Sequence, residues 1–263
     1  MTPHNHKTIL EPSRFVEYAL DDRISRLKNH HTVLFCFDAG IYGKLKKMFR
    51  GSIFSGLAGE LYLMDHKIAL AGKFGIGCPA TVTLLEELVA CGIRRFVGIG
   101  PAGALRDDIK NGDVILCTGA FSDEGTSAHY PGYKIFSKPS RTLSAQLALR
   151  LKKHHVPFVK GKTWTTDAPF RETKQNLEYF LNAGAAVVEM EASAMFNIAH
   201  FRKVSVANVF VVGDSISGGI WNPMFRSNVI KQKSLLTARE IVLFLSENPT
   251  SSNYIGKRMK PLE

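Results

Sequence analysis

Two carboxylates stand close together in the segment VVEMEASAMF, residues 187–196, where an apolar run changes into a helical pattern. Glu189 and Glu191 flank Met190 there, and a charge at such a junction is costly to bury without a partner. A carboxylate in that place can accept two hydrogen bonds from a vicinal diol, which is how a ribose ring is held. The alternative is a carboxylate in the first turn of a helix, which the helix dipole stabilises by about 0.3–1 kcal/mol. The residues alone leave both interpretations open.

A third acidic residue, Asp214, ends the apolar run of VVGDSISGG, residues 211–219. Burial at the end of a strand disfavours the charged carboxylate and raises its pKa, which suits a general acid near neutral pH. The alternative is that Asp214 caps a helix or a turn.

Two glycine-rich segments also follow apolar runs: GKFGIGCPAT, residues 72–81, and GIGPAGAL, residues 98–105. Glycine lets the backbone approach a ligand closely, and the N-terminus of a helix favours an anion. GKFGIG is not a GxGxxG motif, and no acidic residue ends a following strand about 20 positions on, which disfavours a nicotinamide dehydrogenase. Close packing of a helix on a sheet would require the same glycines.

The segment TTDAPFRET, residues 165–173, offers an aromatic ring and a guanidinium group next to each other. Phe170 could stack on a base and Arg171 could hydrogen-bond one. Equally, Phe170 could belong to the core and Arg171 could be a solvated loop charge.

The elements that must position these residues are strands alternating with helices. Continuously apolar runs, typical of strands covered on both faces, occupy residues 31–37, 66–72, 94–100, 112–121, 155–165, 184–190 and 206–214. Helical patterns occupy residues 80–92, 191–201 and 228–247. This alternation predicts a single α/β domain with a central, mostly parallel mixed sheet flanked by helices, in which residues 112–121 and 155–165 could be antiparallel additions. In such a sheet, ligands gather at the carboxyl ends of the strands, where the candidate residues lie.

Composition excludes several functional classes. The net charge is +11, but the basic residues are scattered and form no single basic stripe, so we expect no nucleic-acid partner. No apolar run reaches the roughly 20 residues of a membrane span, and the N-terminus lacks the apolar core of a secretory signal. The four cysteines show no metal-ligand spacing, so we expect free thiols, no metal and a reducing, cytoplasmic location.

Taken in order, these segments resemble the nucleoside phosphorylase superfamily, which holds purine nucleoside phosphorylases, uridine phosphorylases and nucleosidases. The resemblance runs from about residue 31 to 245, and its most specific stretches are residues 75–105, 123–130, 165–173, 187–196 and 211–216. It implies a partly barrel-like sheet in a domain over residues 31–247, between an N-terminal arm with a first helix (1–30) and a C-terminal tail (248–263). It also implies a homo-oligomer, such as a dimer or a trimer of dimers.

The activity implied is cleavage of the N-glycosidic bond of a nucleoside in purine salvage. Phosphorolysis would give free base and ribose 1-phosphate, with inorganic phosphate as co-substrate and without a cofactor. Asp214 resembles the acid that protonates the departing base, and Arg226 stands near the position of an arginine that assists it. Glu191 resembles the carboxylate that holds the ribose hydroxyls, with Met190 under the sugar and Glu189 beside it.

The resemblance assigns the remaining candidates to the base, the phosphate and the sugar. Phe170 and Arg171 fall in the base loop; Gly77, Gly100 and Arg50 fall at the phosphate; His4 or His6 could reach the sugar of a neighbouring subunit.

The sequence departs from this family where phosphate would be held. Members of the family have an arginine, a glycine and a serine or threonine where this chain has Gly98, Gly100 and Pro101, and a Gly-Asp-Pro where it has Phe37, Asp38 and Ala39. Loss of one or two charge-assisted hydrogen bonds, each about 1.5–3 kcal/mol, would weaken phosphate binding. Hydrolysis without phosphate is therefore an alternative, and a non-catalytic nucleoside-binding protein on the same fold is another.

Overall fold

The computed structural model describes residues 8–65 and 67–247. Within these residues the chain forms seven α-helices and eleven strands. The helices are α1 (Pro12–Leu20), α2 (Ala39–Met48), α3 (Gly77–Ala90), α4 (Arg141–Lys153), α5 (Lys174–Asn182), α6 (Ala192–Arg202) and α7 (Asn228–Glu247). The strands are β1 (Thr32–Cys36), β2 (Gly51–Leu57), β3 (Gly59–Met64), β4 (Ile68–Gly72), β5 (Arg95–Ala104), β6 (Val114–Asp123), β7 (Phe136–Ser137), β8 (Val159–Thr166), β9 (Ala185–Glu189), β10 (Ser205–Ser215) and β11 (Asn222–Pro223).

The strands form one mixed sheet that closes partly into a barrel. Its order is β11-β10-β6-β8-β9-β5-β1-β4-β3-β2, and β10 also pairs with β5, which closes a ring of five strands. Parallel pairing joins β4, β1, β5 and β10 in one group and β6, β8 and β9 in another. Antiparallel pairing joins the two groups, β5 to β9 and β10 to β6. The predicted α/β domain with a partly barrel-like mixed sheet is confirmed.

Apolar side chains alternate between two cores, one on each face of the sheet. In β1, Val33 and Phe35 belong to the cluster that also holds side chains of α3 and α6. Leu34 and Cys36 belong to a second cluster with side chains of α2, α4 and α7. Because both faces are covered, these strands are continuously apolar, as the sequence pattern predicted.

Each of the seven predicted strands and three predicted helices is present, with ends that differ by a few residues. The antiparallel alternative holds for the direction of β6 and β8, which both run opposite to the group of β4, β1, β5 and β10. The pairing of β8 is nevertheless parallel, to β6 on one side and β9 on the other. The physical reason is α4, an unpredicted helix between β6 and β8: a crossover helix returns the chain in the same direction. The hairpin of β2 and β3 was also not predicted.

The described part of the N-terminal segment joins the main core. Val16 and Leu20 of α1 are fully buried in the same cluster as residues of α3. The predicted tail 248–263 and the histidines His4 and His6 lie outside the described residues.

All four cysteines are free thiols, three of them buried. Within residues 8–65 and 67–247 no helix has the length and apolar character to cross a membrane. The same residues contain no group of three or more His, Cys, Asp or Glu side chains that could hold a metal ion.

A buried ion pair between α4 and α7 gives a prediction about stability. Arg150 Nη2 lies 3.0 Å from Glu240 Oε2, and both side chains are only 6% exposed. Replacing Arg150 with methionine removes the buried partner of Glu240, and it also removes the Arg150–Glu247 pair. Among the described residues, Glu240 then keeps only His154 Nδ1 at 3.3 Å and Arg239 Nη1 at 3.7 Å. We therefore expect the free energy of unfolding to fall by about 3 kcal/mol. Urea unfolding measures this, and the double variant Arg150→Met/Glu240→Met should recover most of the loss. A single variant as stable as the wild type would contradict the prediction.

Candidate active site

The ends of β9 and β10 flank the same part of β5. Gly103 of β5 pairs with Val188 on one side and with Asp214 on the other. A Cβ atom at Gly103 would lie 3.1 Å from Val188 Cγ1 and 3.2 Å from Asp214 Oδ1. Both side chains therefore approach the same face of β5, and the glycine leaves room for the carboxyl group. Two strand spacings, roughly 10 Å, separate the backbones of β9 and β10 here.

Glu191 is held at the N-terminus of α3. Its side chain is buried, with 7% of the residue exposed, and its Oε1 atom accepts a hydrogen bond from the Gly77 N–H at 2.8 Å. No side chain in the described ranges donates a hydrogen bond to this carboxyl group. The Gly77 N–H, predicted to face an anion, thus already has a partner in Glu191.

Met190 covers the same helix end. Its Cε atom lies 3.9 Å from the position that a Cβ of Gly77 would take, and its carbonyl accepts a hydrogen bond from the Cys78 thiol at 3.1 Å. The side chain is half-buried. Met190, Glu191 and the start of α3 therefore form one continuous surface.

Glu189 is fully enclosed by protein donors. Its Oε2 atom accepts hydrogen bonds from the N–H groups of Glu191 and Ala192, each at 2.8 Å. Its Oε1 atom accepts from the hydroxyls of Thr165 and Thr163 at 2.5 and 3.3 Å. Glu189 thus caps the start of α6 and fixes the backbone of Glu191, while the Glu191 side chain bonds the start of α3. A substrate role for Glu189 stays a prediction.

Burial raises the pKa of both carboxyl groups, and the repulsion between them adds to the rise at Glu191. The four donors around Glu189 stabilise its charged form and partly offset the effect of burial there.

Asp214 is half-buried and has one donor among the described residues. The Trp221 indole N–H donates to Asp214 Oδ2 at 2.9 Å. Burial raises the pKa of Asp214, and this hydrogen bond opposes the rise. In the described residues the Asp214 carboxyl group caps no helix or turn, so the alternative of a capping role is wrong. Arg226 is exposed and makes no ion pair or hydrogen bond with Asp214 in this part of the chain, so its assisting role stays a prediction.

Sequence reasoning missed Glu172. Burial and the nearby Asp214 raise the pKa of Glu172 to about 7. It directly follows Arg171 in the segment 165–173, which the sequence had singled out, but a glutamate in a polar loop gave no signal of being partly buried beside another acid.

Three predicted site residues point into solvent in the single protomer. Phe170 is 100% exposed, Arg171 is exposed, and the Arg50 side chain is 94% exposed with Asp65 Oδ2 at 3.8 Å from its Nε atom. The protomer alone does not bring them to Asp214 or Glu191, and their roles stay predictions.

Phe37 packs on two glycines in the middle of β5. A Cβ atom at Gly98 would lie 2.6 Å from Asn208 Oδ1 and 3.0 Å from Phe37 Cε2. A Cβ atom at Gly100 would lie 2.8 Å from Phe37 Cβ. The ring also packs edge-on against Phe74, with 5.6 Å between centroids. Close packing, the alternative kept open for these glycines, therefore explains both of them.

Comparison with known proteins gives matches over most of the chain. A family model described as "Phosphorylase superfamily" matches residues 35–241. The chain is 28% identical over 145 residues to a guanosine phosphorylase of Halorubrum lacusprofundi, which covers 55% of this chain and 60% of that protein. An AMP nucleosidase from Bacteroides thetaiotaomicron has a similar fold, with a TM-score of 0.73, 18% identity, and coverage of 91% of this chain and 100% of the other. A purine nucleoside phosphorylase from Toxoplasma gondii gives a TM-score of 0.71 at 18% identity, covering 83% and 91%.

Proposed function

The chain belongs to the phosphorylase superfamily, and from this premise we propose that it cleaves the N-glycosidic bond of a nucleoside, preferably a purine nucleoside. The observation that carries the proposal is the placement of two acids around one strand. Glu191 follows β9 and Asp214 ends β10, on the two sides of β5. A fixed carboxylate suits a sugar diol, and a half-buried carboxyl group with a raised pKa suits a departing base.

In the proposed reaction, the bond between C1′ and the base nitrogen stretches until the sugar resembles an oxocarbenium ion. Glu191 accepts hydrogen bonds from the 2′ and 3′ hydroxyls, and Met190 packs under the ring. The Asp214 carboxyl group gives its proton to the base, which takes the electrons of the breaking bond and leaves neutral. An oxygen of the nucleophile then bonds to C1′. If the nucleophile is water, the proton that it loses returns to the Asp214 carboxylate; if it is phosphate, Asp214 regains its proton from solvent. Most of the acceleration comes from positioning and charge stabilisation.

Phosphorolysis is the first candidate for the second half of the reaction, because the relative from Halorubrum is named a guanosine phosphorylase. Phosphate would then be the co-substrate, and no cofactor is needed. Arg50 remains a proposed phosphate contact, because its side chain extends into solvent and is free to act in a neighbouring subunit. Gly77 and Gly100 would contribute to phosphate binding only if the Gly77 N–H exchanged Glu191 for phosphate and the Phe37 ring moved off Gly100.

Hydrolysis is the second candidate, and Phe37 favours it. Its ring lies against Gly98 and Gly100, where the resemblance expects a guanidinium group, and Pro101 has neither an N–H nor a hydroxyl to offer. An apolar ring there offers no hydrogen bond to offset the free energy cost of desolvating a phosphate dianion.

The two candidates are separated by measuring base release from a panel of nucleosides with and without phosphate. Phosphorolysis predicts release that rises with phosphate and yields ribose 1-phosphate. Hydrolysis predicts the same rate in both buffers and yields free ribose. A protein that binds nucleosides but releases base in neither buffer would overturn the enzymatic proposal and leave a nucleoside-binding protein.

We also propose that the protein is a homo-oligomer, a dimer or a trimer of dimers, in the cytoplasm. The resemblance to the superfamily carries this proposal, and the fully exposed Phe170 side chain is available to an interface. Light scattering on the purified protein tests this, and a monomer at working concentration would overturn it.

A further inference from the structure

The segment after Asp214 folds back over it. Strand β11 pairs with the end of β10, with Asp214 opposite Pro223 and Ser215 opposite Asn222. Phe225 packs on Gly213, whose Cβ position would lie 2.8 Å from the ring. This return brings the Trp221 indole N–H to 2.9 Å from Asp214 Oδ2.

The contact is not explained by burial of the indole ring. Trp221 is 63% exposed, whereas the second tryptophan, Trp164, is 1% exposed and stacks on Phe180. The indole of Trp221 thus contributes little apolar burial and one directed hydrogen bond to the carboxyl group.

An indole N–H can only donate, so the oxygen that it contacts must accept. In a protonated carboxyl group the carbonyl oxygen is the stronger acceptor, so the contact with Oδ2 favours the proton on Oδ1. That atom lies 3.2 Å from the position of a Cβ at Gly103, on the side of β5 shared with β9.

We propose that Trp221 is a positioning residue for Asp214: its N–H holds Oδ2 and so directs the acidic proton on Oδ1 toward the departing base. The catalytic part of this inference, the direction of the proton toward the base, rests on the proposed function. The contact itself does not depend on that function and is measured separately.

The expected change in the pKa of Asp214 depends on the groups that surround its carboxyl group. The Glu172 carboxyl group faces Asp214 from the loop before α5, and Lys174 at the start of α5 packs on Gly219. Burial raises the pKa of Asp214 and the Trp221 hydrogen bond lowers it. Removing the N–H therefore raises the pKa further, and the acid stays protonated to a higher pH.

The test is the pH profile of kcat/KM for Trp221→Phe, which keeps an aromatic ring and loses the donor. Activity requires protonated Asp214, so the profile falls as pH rises through the pKa of that group. We expect the falling limb to move to higher pH and the plateau below it to drop about tenfold. Ile220→Ala, a loss of an exposed apolar side chain from the same loop, is the matched control and should change neither. An unmoved limb in Trp221→Phe would overturn the inference.

A second measurement needs no activity. The chain has two tryptophans, so the wild type gives two indole N–H signals in an NMR spectrum, and Trp221→Phe identifies them. We expect the Trp221 signal to shift with pH in the wild type and to stay constant in Asp214→Asn. The Trp164 indole, which donates to Asp123 Oδ2 at 2.9 Å, is the internal reference. A Trp221 signal that ignores the residue at 214 overturns the inference alone, whereas a titrating signal in a protein that releases no base overturns the proposed function alone.

Discussion

Replacing Glu191 with alanine is expected to lower kcat/KM for ribonucleosides by about 10³-fold, because two charge-assisted hydrogen bonds of about 1.5–3 kcal/mol each are lost. The affinity for free base should stay within about threefold, since the carboxyl group is proposed to contact only the sugar. Steady-state kinetics gives the first quantity and calorimetry with the free base gives the second.

Substrates that lack a hydroxyl supply the control for Glu191. A 2′-deoxynucleoside already forgoes one of the two hydrogen bonds, so Glu191→Ala should cost it less than it costs the ribonucleoside. The buried carboxyl group of Glu87, which accepts from the Ala58 N–H at 2.7 Å in another part of the fold, provides a matched variant. Glu87→Gln should leave the ratio of the two substrates unchanged. Equal losses for free base and nucleoside would remove the sugar role of Glu191.

Replacing Asp214 with asparagine is expected to lower kcat by about 10²–10⁴-fold, the usual contribution of a general acid. KM should change little, because asparagine has nearly the same shape and still accepts from the Trp221 indole. The falling limb of the pH profile, which we assign to Asp214, should disappear. Its position in the wild type reflects burial, which raises the pKa of this carboxyl group.

A substrate whose base needs no proton provides the control for Asp214. The base of 7-methylguanosine carries a positive charge and leaves as a neutral molecule without an acid. On this substrate Asp214→Asn should lose less than about tenfold, because the proton is no longer required. The same loss on guanosine and on 7-methylguanosine would mean that Asp214 acts through binding or folding and not as an acid.

The sequence could predict where the two acids lie, because burial on both faces of a sheet leaves a clear pattern. Strand β9 is apolar up to Glu189, and β10 is apolar from Val206 up to Asp214 except for Asn208, so a charged residue near their ends is recognisable without coordinates. The sequence could not predict which of the two glutamates, Glu189 or Glu191, is enclosed by protein donors. That depends on which carboxyl group reaches the threonine hydroxyls of β8, 24 and 26 positions away in the chain.

The sequence also did not predict two contacts that form only when separate segments pack together. Trp221 follows Asp214 by seven residues and reaches it only because β11 turns back along β10. In the sequence, Phe37 is simply the last residue of an apolar run. Its contact with Gly98 and Gly100 arises only when β1 and β5 pair in the folded sheet. Side chains brought together by tertiary packing leave no periodic signal in the sequence.

A crystal structure of Asp214→Asn with an uncleaved purine nucleoside would show whether the two acids share one cleft. We expect Glu191 within hydrogen-bond distance of both the 2′ and 3′ hydroxyls, while the residue at 214 contacts a nitrogen of the base. A nucleoside bound with the side chains at 191 and 214 on different surfaces would overturn the proposed function.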